Sequence, residues 1–295
     1  MTTAKPSGVR ATAVGVARVR ARETRRENPL FLDPFAEAFA AAGSLPVDGK
    51  PPRAPVDDAA RRRWGPAALG PGGAGARRRW GAVAFSIVVR TRFLDELLRD
   101  GADAGCRQVA LLGAGMNSRA YRLDWPSETR LFEIETAEPL GFKESVLRAE
   151  PADPRCERIT VPVDLREDWT GALVAAGHDP ALPTVWIAEG LLIHLPQDAV
   201  ERPLGQVGEL SATGSRMGLT LGQPGVVERF AQDTGTAASM RVSEIPPDPV
   251  TWLAGLGWDT RAYTVRERAA AYGRPVTAPE EQPPRHGVLI SAARR

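Results

Sequence analysis

Short, wholly apolar runs alternate along the chain with longer stretches in which apolar residues recur every three or four positions, and this predicts strands and helices in turn. Val109 to Leu112 is one apolar run, and Leu131 to Ile134, apolar apart from Glu133, is another. Val109 to Leu112 is too short for a helix and too uniformly apolar for a half-exposed strand, so it suits a parallel strand buried on both faces. The same reading predicts strands over 158–163, 184–188, 216–221, 261–265 and 287–292. Helical spacing predicts helices over 9–26, 33–43, 82–99, 137–149, 165–176, 196–210, 250–256 and 266–272. Seven strands alternating with helices imply an α/β protein with a mainly parallel seven-stranded sheet and helices on both faces.

Breakers sharpen the boundaries. Asn28-Pro29 stops the first helix, Asp33 and Pro34 supply an N-cap and a first-turn residue for the second, and Gly101 is expected to end the helix that leads into the first strand. Residues 44–80 are rich in Pro and Gly and carry RRRWG twice, at 61–65 and 77–81. The repeat reads either as an arginine–tryptophan patch for nucleic acid or as the solvated flank of a lid. The pattern loosens again over 222–249, where a cover for a binding site is expected. The implied organisation is an N-terminal helical extension and flexible lid over 1–80, followed by a Rossmann-like domain over 81–295 with a lid insertion at about 222–249.

The candidate chemistry sits at Gln108 to Glu135. The apolar run ends in Gly113, Ala114 and Gly115, and the second run delivers Glu135 twenty positions after Gly115. Glycine permits positive φ and lets a ligand approach the backbone without a Cβ in the way. Asn117 and Ser118 are placed to cap a following helix whose free N–H groups would face that ligand. An acid at the end of the neighbouring strand is placed to accept from two ribose hydroxyls. A nicotinamide dehydrogenase uses the same outline, but its fingerprint needs a third glycine where this chain has Ser118.

Composition narrows the classes. The formal charge of +2 gives no overall field that demands a polyanion, so no nucleic-acid partner is expected. Cys106 and Cys156 have no metal-ligand spacing and are expected as reduced thiols. No apolar run approaches the roughly 18 residues of a membrane span, and a cytoplasmic protein without membrane association is expected.

Several ordered motifs together resemble the leucine carboxyl methyltransferase-like proteins, a branch of the S-adenosylmethionine-dependent methyltransferases. They are GVRATAVGVARVRARETRRENPLFLDPFAEAF, VVRTRFLDELL, LLGAGMNSRAYRLDWP, FEIE, VPVDLREDW, WIAEGLLIHLP, DPVTWLAGLGW and AAAYGRP. The resemblance covers nearly the whole chain except about 44–80, and it implies a Rossmann-like class I methyltransferase with an N-terminal helical cap or lid. It further implies that Arg90 holds the carboxylate of the cofactor's methionine part and that Gly113, Ala114 and Gly115 pass beneath it. Glu135 would bind the ribose, Asp164 and Leu165 the adenine, and Glu189 would lie near the cofactor's amino group. The chain departs from the usual GAGLDTRAYR at Met116, Asn117 and Ser118, and has His194 where many relatives have tyrosine. His194 is either a packed or capping histidine or a contact and base for the substrate. The activity implied is methyl transfer to a small-molecule oxygen, with carboxylate favoured. A phenol or hydroxyl acceptor, or a non-catalytic module using the Arg-Trp repeats, stands as the alternative.

Overall fold

A computed structural model describes residues 8–43, 74–150, 152–192, 200–221, 248–275 and 288–295. The first RRRWG, the expected covers at 44–73 and 222–247, and His194 lie outside the described residues. Of the second RRRWG only the helical backbone is described.

Seven strands form one sheet in the order β3-β2-β1-β4-β5-β7-β6. They are β1 (Gln108–Leu112), β2 (Arg130–Glu135), β3 (Glu157–Pro162), β4 (Thr184–Ala188), β5 (Arg216–Leu221), β6 (Trp258–Thr264) and β7 (Val288–Arg294). Strands β1 to β5 pair in parallel, and β7 runs antiparallel between β5 and β6. The mainly parallel seven-stranded sheet expected from the alternation is what forms. The strand predicted at 261–265 begins earlier, at Trp258, whose fully buried indole anchors the edge.

Nine helices are present among the described residues. They are α1 (Gly8–Thr24), α2 (Ala36–Ala42), α3 (Ala74–Asp103), α4 (Arg119–Arg122), α5 (Ala137–Leu147), α6 (Trp169–Ala175), α7 (Glu201–Glu209), α8 (Pro249–Gly255) and α9 (Val265–Ala271). Every residue of β1 and β4 is buried. Side chains alternate between faces in a strand, so Val109, Leu111, Val185 and Ile187 enter one core with α1, α2, α3 and α9. Ala110, Leu112, Trp186 and Ala188 enter the other with α6, α7 and α8. The two sheet edges are more polar, and β3 ends at Pro162, which as an edge residue interrupts no central ladder.

Helix α3 corrects one expectation. It starts before residue 82 and runs through Gly101, ending where Gly105 adopts φ of 95°. Gly101 has a packing role instead. A Cβ there would lie 2.4 Å from Cγ2 of Val185, so the missing side chain lets α3 press against β4. Asp33 and Pro34 lie just ahead of α2 rather than in it: the helix begins at Ala36 with Phe35 at the N-cap, and Asp33 Oδ1 still accepts from the Ala36 N–H at 3.1 Å.

Candidate functional site

The strand order places one chemical element at the carboxyl end of each of four neighbouring strands. Asp164 follows β3, Glu135 ends β2, Gly113 to Gly115 follow β1, and Glu189 follows β4. Register keeps them level, since Leu112 pairs with both Ile134 and Ala188, and Glu135 pairs with Pro162. The order reverses direction at β1, and that switch point is where open α/β sheets leave a crevice for a ligand.

The turn itself is closed onto β2. Gly113 and Gly115 have φ of 65° and 47°. The N–H groups of Gly113 and Ala114 donate to the Ile134 carbonyl at 2.9 and 3.2 Å, and Gly115 donates to Oε2 of Glu135 at 3.0 Å. Oε1 of Glu135 accepts from the Thr136 N–H at 2.8 Å and its hydroxyl at 3.1 Å. The turn therefore supplies shape and close approach, and its amides are already used. Ala13 of α1 covers it, 3.5 Å from where a Gly115 Cβ would stand.

The expected helix after the turn is a single turn, α4. Asn117 stands one residue before the N-cap position, and its Oδ1 accepts from the Arg119 N–H at 2.9 Å. Ser118 does not cap; its hydroxyl donates to Oδ1 of Asp33 at 2.8 Å and ties the turn to the start of α2. Four residues offer no helix N-terminus worth an anion site, so the expected free N–H groups are a correction.

Charge at the site is carried by a buried network that the sequence reading did not single out. Arg119, with no exposed side-chain surface, donates from Nε to Oδ1 of Asp95 at 2.7 Å and from Nη1 to Oε2 of Glu189 at 2.8 Å. Arg122 grips Asp95 with both Nη atoms at 2.7 Å, the planar fork matching the carboxylate. Arg90 donates from Nε to Oε1 of Glu189 at 3.1 Å and keeps 16% of its side chain exposed. Arg20 of α1 donates to the Met116 carbonyl and lies 3.3 Å from Asp33. Burial alone would raise the Glu189 pKa, but Arg119, Arg90 and Arg20 overcome it and hold the group at about 2. Glu189 is thus a permanent anion at the mouth of the site. The available signals were Asp95 inside the apolar stripe of FLDELL and the paired arginines of RAYR.

At the other end, Asp164 is 21% exposed and bound by Arg166, whose Nε lies 2.9 Å from Oδ1. The hydrogen bonds from Arg166 lower its pKa. Arg166 itself is 69% exposed, so this pair is weak and readily exchanged for a ligand. Leu165 packs into the second core at 7% exposure. The structure therefore gathers Arg90, Gly113, Ala114, Gly115, Glu135, Asp164, Leu165 and Glu189 at one end of the sheet.

This fold and this strand-end arrangement define a Rossmann-like class I methyltransferase fold. It is shared with the crystal structure of a "putative methyltransferase" from Thermobifida fusca at a TM-score of 0.54, 17% identity, 72% coverage of this chain and 83% of that one. The family model for leucine carboxyl methyltransferase matches residues 13–208. The chain belongs to the leucine carboxyl methyltransferase family, as its motifs led one to expect. Proteins of Frankia alni and Streptomyces avermitilis, both bearing the name "Putative S-adenosyl-L-methionine-dependent methyltransferase", are 64% and 62% identical to it. The alignments span 98% and 99% of this chain and 96% and 97% of those proteins. Among the described residues no His, Cys, Asp or Glu cluster fits a metal ion, and no helix is long and apolar enough to cross a membrane.

Proposed function

We propose that the protein is an S-adenosylmethionine-dependent O-methyltransferase acting on a carboxylate of a small molecule. The observation that carries the reading is the alignment of Asp164, Glu135, the Gly113–Gly115 turn and Glu189 at the ends of four adjacent strands. The residues suit the cofactor group by group. Glu135 presents a carboxylate beside the turn, where ribose hydroxyls would donate to it. Asp164 is the partly exposed acceptor for the adenine amino group, with Leu165 beneath. Ionised Glu189 complements an ammonium, and the partly exposed guanidinium of Arg90 complements a carboxylate.

When bound, the cofactor supplies an electrophilic methyl group on a sulfonium. The protein's own part is to hold the acceptor in line and exclude water. A carboxylate, with a pKa near roughly 4, is already nucleophilic at neutral pH and needs no base. Positioning alone can then contribute on the order of 7 to 11 kcal/mol. His194 is kept as a proposed substrate contact, and it would serve as a base only for a phenolic acceptor.

Titration calorimetry with S-adenosylmethionine tests the reading. Binding in the micromolar range is expected, weakened at least tenfold, about 1.4 kcal/mol, by Arg90→Ala or Asp164→Ala. A wild-type protein that takes up none overturns it. Methyl transfer from labelled cofactor to candidate organic acids, set against phenols, separates carboxyl from hydroxyl acceptors.

A further inference from the structure

Helices α1 and α3 reach the site with Arg20 and Arg90, and the same two helices enclose a separate cavity of about 410 Å³. Val88 lines it and stands only two residues before Arg90, a rise of about 3 Å along α3. Residues two apart leave a helix on nearly opposite sides, so the cavity and Arg90 share α3 but not a face of it.

The walls have two characters. The floor is apolar: Val19 and Val88 belong to a small hydrophobic cluster with Phe31 and Ile87, separate from the two sheet cores, and Phe85 adds an aromatic face. The rim is cationic, with Arg22 and Arg26 from α1 and Arg274 from the segment after α9. One carboxylate, Glu23, faces these three guanidinium groups. It is 4% exposed and is already engaged, accepting from the Leu30 N–H at 2.9 Å and from Arg274 at 3.3 Å, with Arg26 at 3.7 Å. Among the described residues no acid pairs with Arg22. The rim thus keeps surplus positive charge above an apolar floor, in a volume typical of small-molecule sites.

We propose that this cavity is a binding site for an amphiphilic organic anion, its apolar body on Val19, Phe85 and Val88 and its negative group at Arg22 and Arg26. Its meaning as the substrate's subsite rests on the methyl-transfer reading above; the anion site itself does not.

The test uses the full-length protein with saturating S-adenosylhomocysteine, so that the crevice at the strand ends is filled. It is titrated by fluorescence with 8-anilinonaphthalene-1-sulfonate, and separately with N-phenyl-1-naphthylamine, a similar aromatic body without the sulfonate. Saturable one-site binding of the sulfonate probe is expected. The double substitution Arg22→Glu/Arg26→Glu, at exposed positions, should weaken that probe at least tenfold and leave the neutral one within about twofold. Ala84→Trp, which fills the cavity, should remove both. A sulfonate probe indifferent to the charge reversal, or binding that survives Ala84→Trp in a protein with wild-type circular dichroism, overturns the proposal. Calorimetry of S-adenosylhomocysteine on the same samples reports the methyltransferase reading independently: its loss in the wild type defeats that reading, while the fluorescence data still decide the anion site.

Discussion

The Glu135 carboxylate accepts from the Gly115 N–H at 3.0 Å through one oxygen and from the Thr136 N–H at 2.8 Å through the other. An acid twenty residues downstream of the glycine turn therefore braces that turn before any ligand arrives. Glutamine cannot replace it, because one of its two positions would carry an NH₂ facing a backbone donor. Glu135→Gln is expected to lower unfolding free energy by about 1–3 kcal/mol, the cost of an unsatisfied buried group. Urea denaturation measures this directly, and an unchanged midpoint would show that the brace is dispensable.

The ion network makes a sharper claim. Arg119 lies between Asp95 and Glu189 with no contact to water, so removing it takes a buried partner from both, leaving Asp95 to Arg122 and Glu189 to Arg90. Arg119→Ala should cost about 3–5 kcal/mol. Asp95→Ala removes the carboxylate that Arg122 grips and leaves Arg119 to Glu189 alone, and the double variant should be less destabilised than the sum of the singles, with a coupling of about 0.5–3 kcal/mol. Additive losses in denaturant melts would mean that Asp95 and Arg119 act separately.

Acid should weaken the same network. Glu189 titrates at about 2 in the fold against an ordinary value of 4.5. Its folded pKa is depressed, so between these values the unfolded chain binds the extra proton. The stability it contributes is complete above about pH 4.5 and is lost as pH falls through about 2, with a total on the order of 3 kcal/mol. Asp95 and Glu133 are lowered in the same direction, each by arginine or lysine partners acting against burial. Urea midpoints should therefore fall from about pH 5 to about pH 3, and Glu189→Gln should flatten that fall. Equal slopes in both proteins would contradict the assignment.

Much of this architecture was legible because it follows local rules. The mostly apolar 184–188 and 216–221 runs became strands with those bounds, since a strand buried on both faces has few polar positions to mislead. The glycine turn and Glu135 were legible from spacing, and Asp164 and Glu189 only through the family resemblance. The ion network was not, because Asp95, Arg119 and Glu189 are far apart in sequence and only the strand order β1-β4 with α3 behind it brings them together. Ser118 misled for a related reason: its hydroxyl had a local capping role available, but a partner 85 positions away, Asp33, took it.

Gly101 shows the same limit and gives the most direct packing test. By helix propensity alone, Gly101→Ala should stabilise α3 by roughly 1 kcal/mol. The added methyl, however, would stand 2.4 Å from Val185 Cγ2, a side chain fixed in the central strand β4 with no exposed surface into which to move. Crowding of that kind costs about 1–3 kcal/mol, so the substitution should destabilise on balance. Val185→Ala alone should also destabilise, by leaving a cavity. The two together restore volume at the contact, and the double variant is expected to be more stable than either single one in thermal melts. If Gly101→Ala raised the melting temperature, the helix would have room that this geometry denies it, and glycine there would be a matter of sequence drift rather than of close approach between α3 and β4.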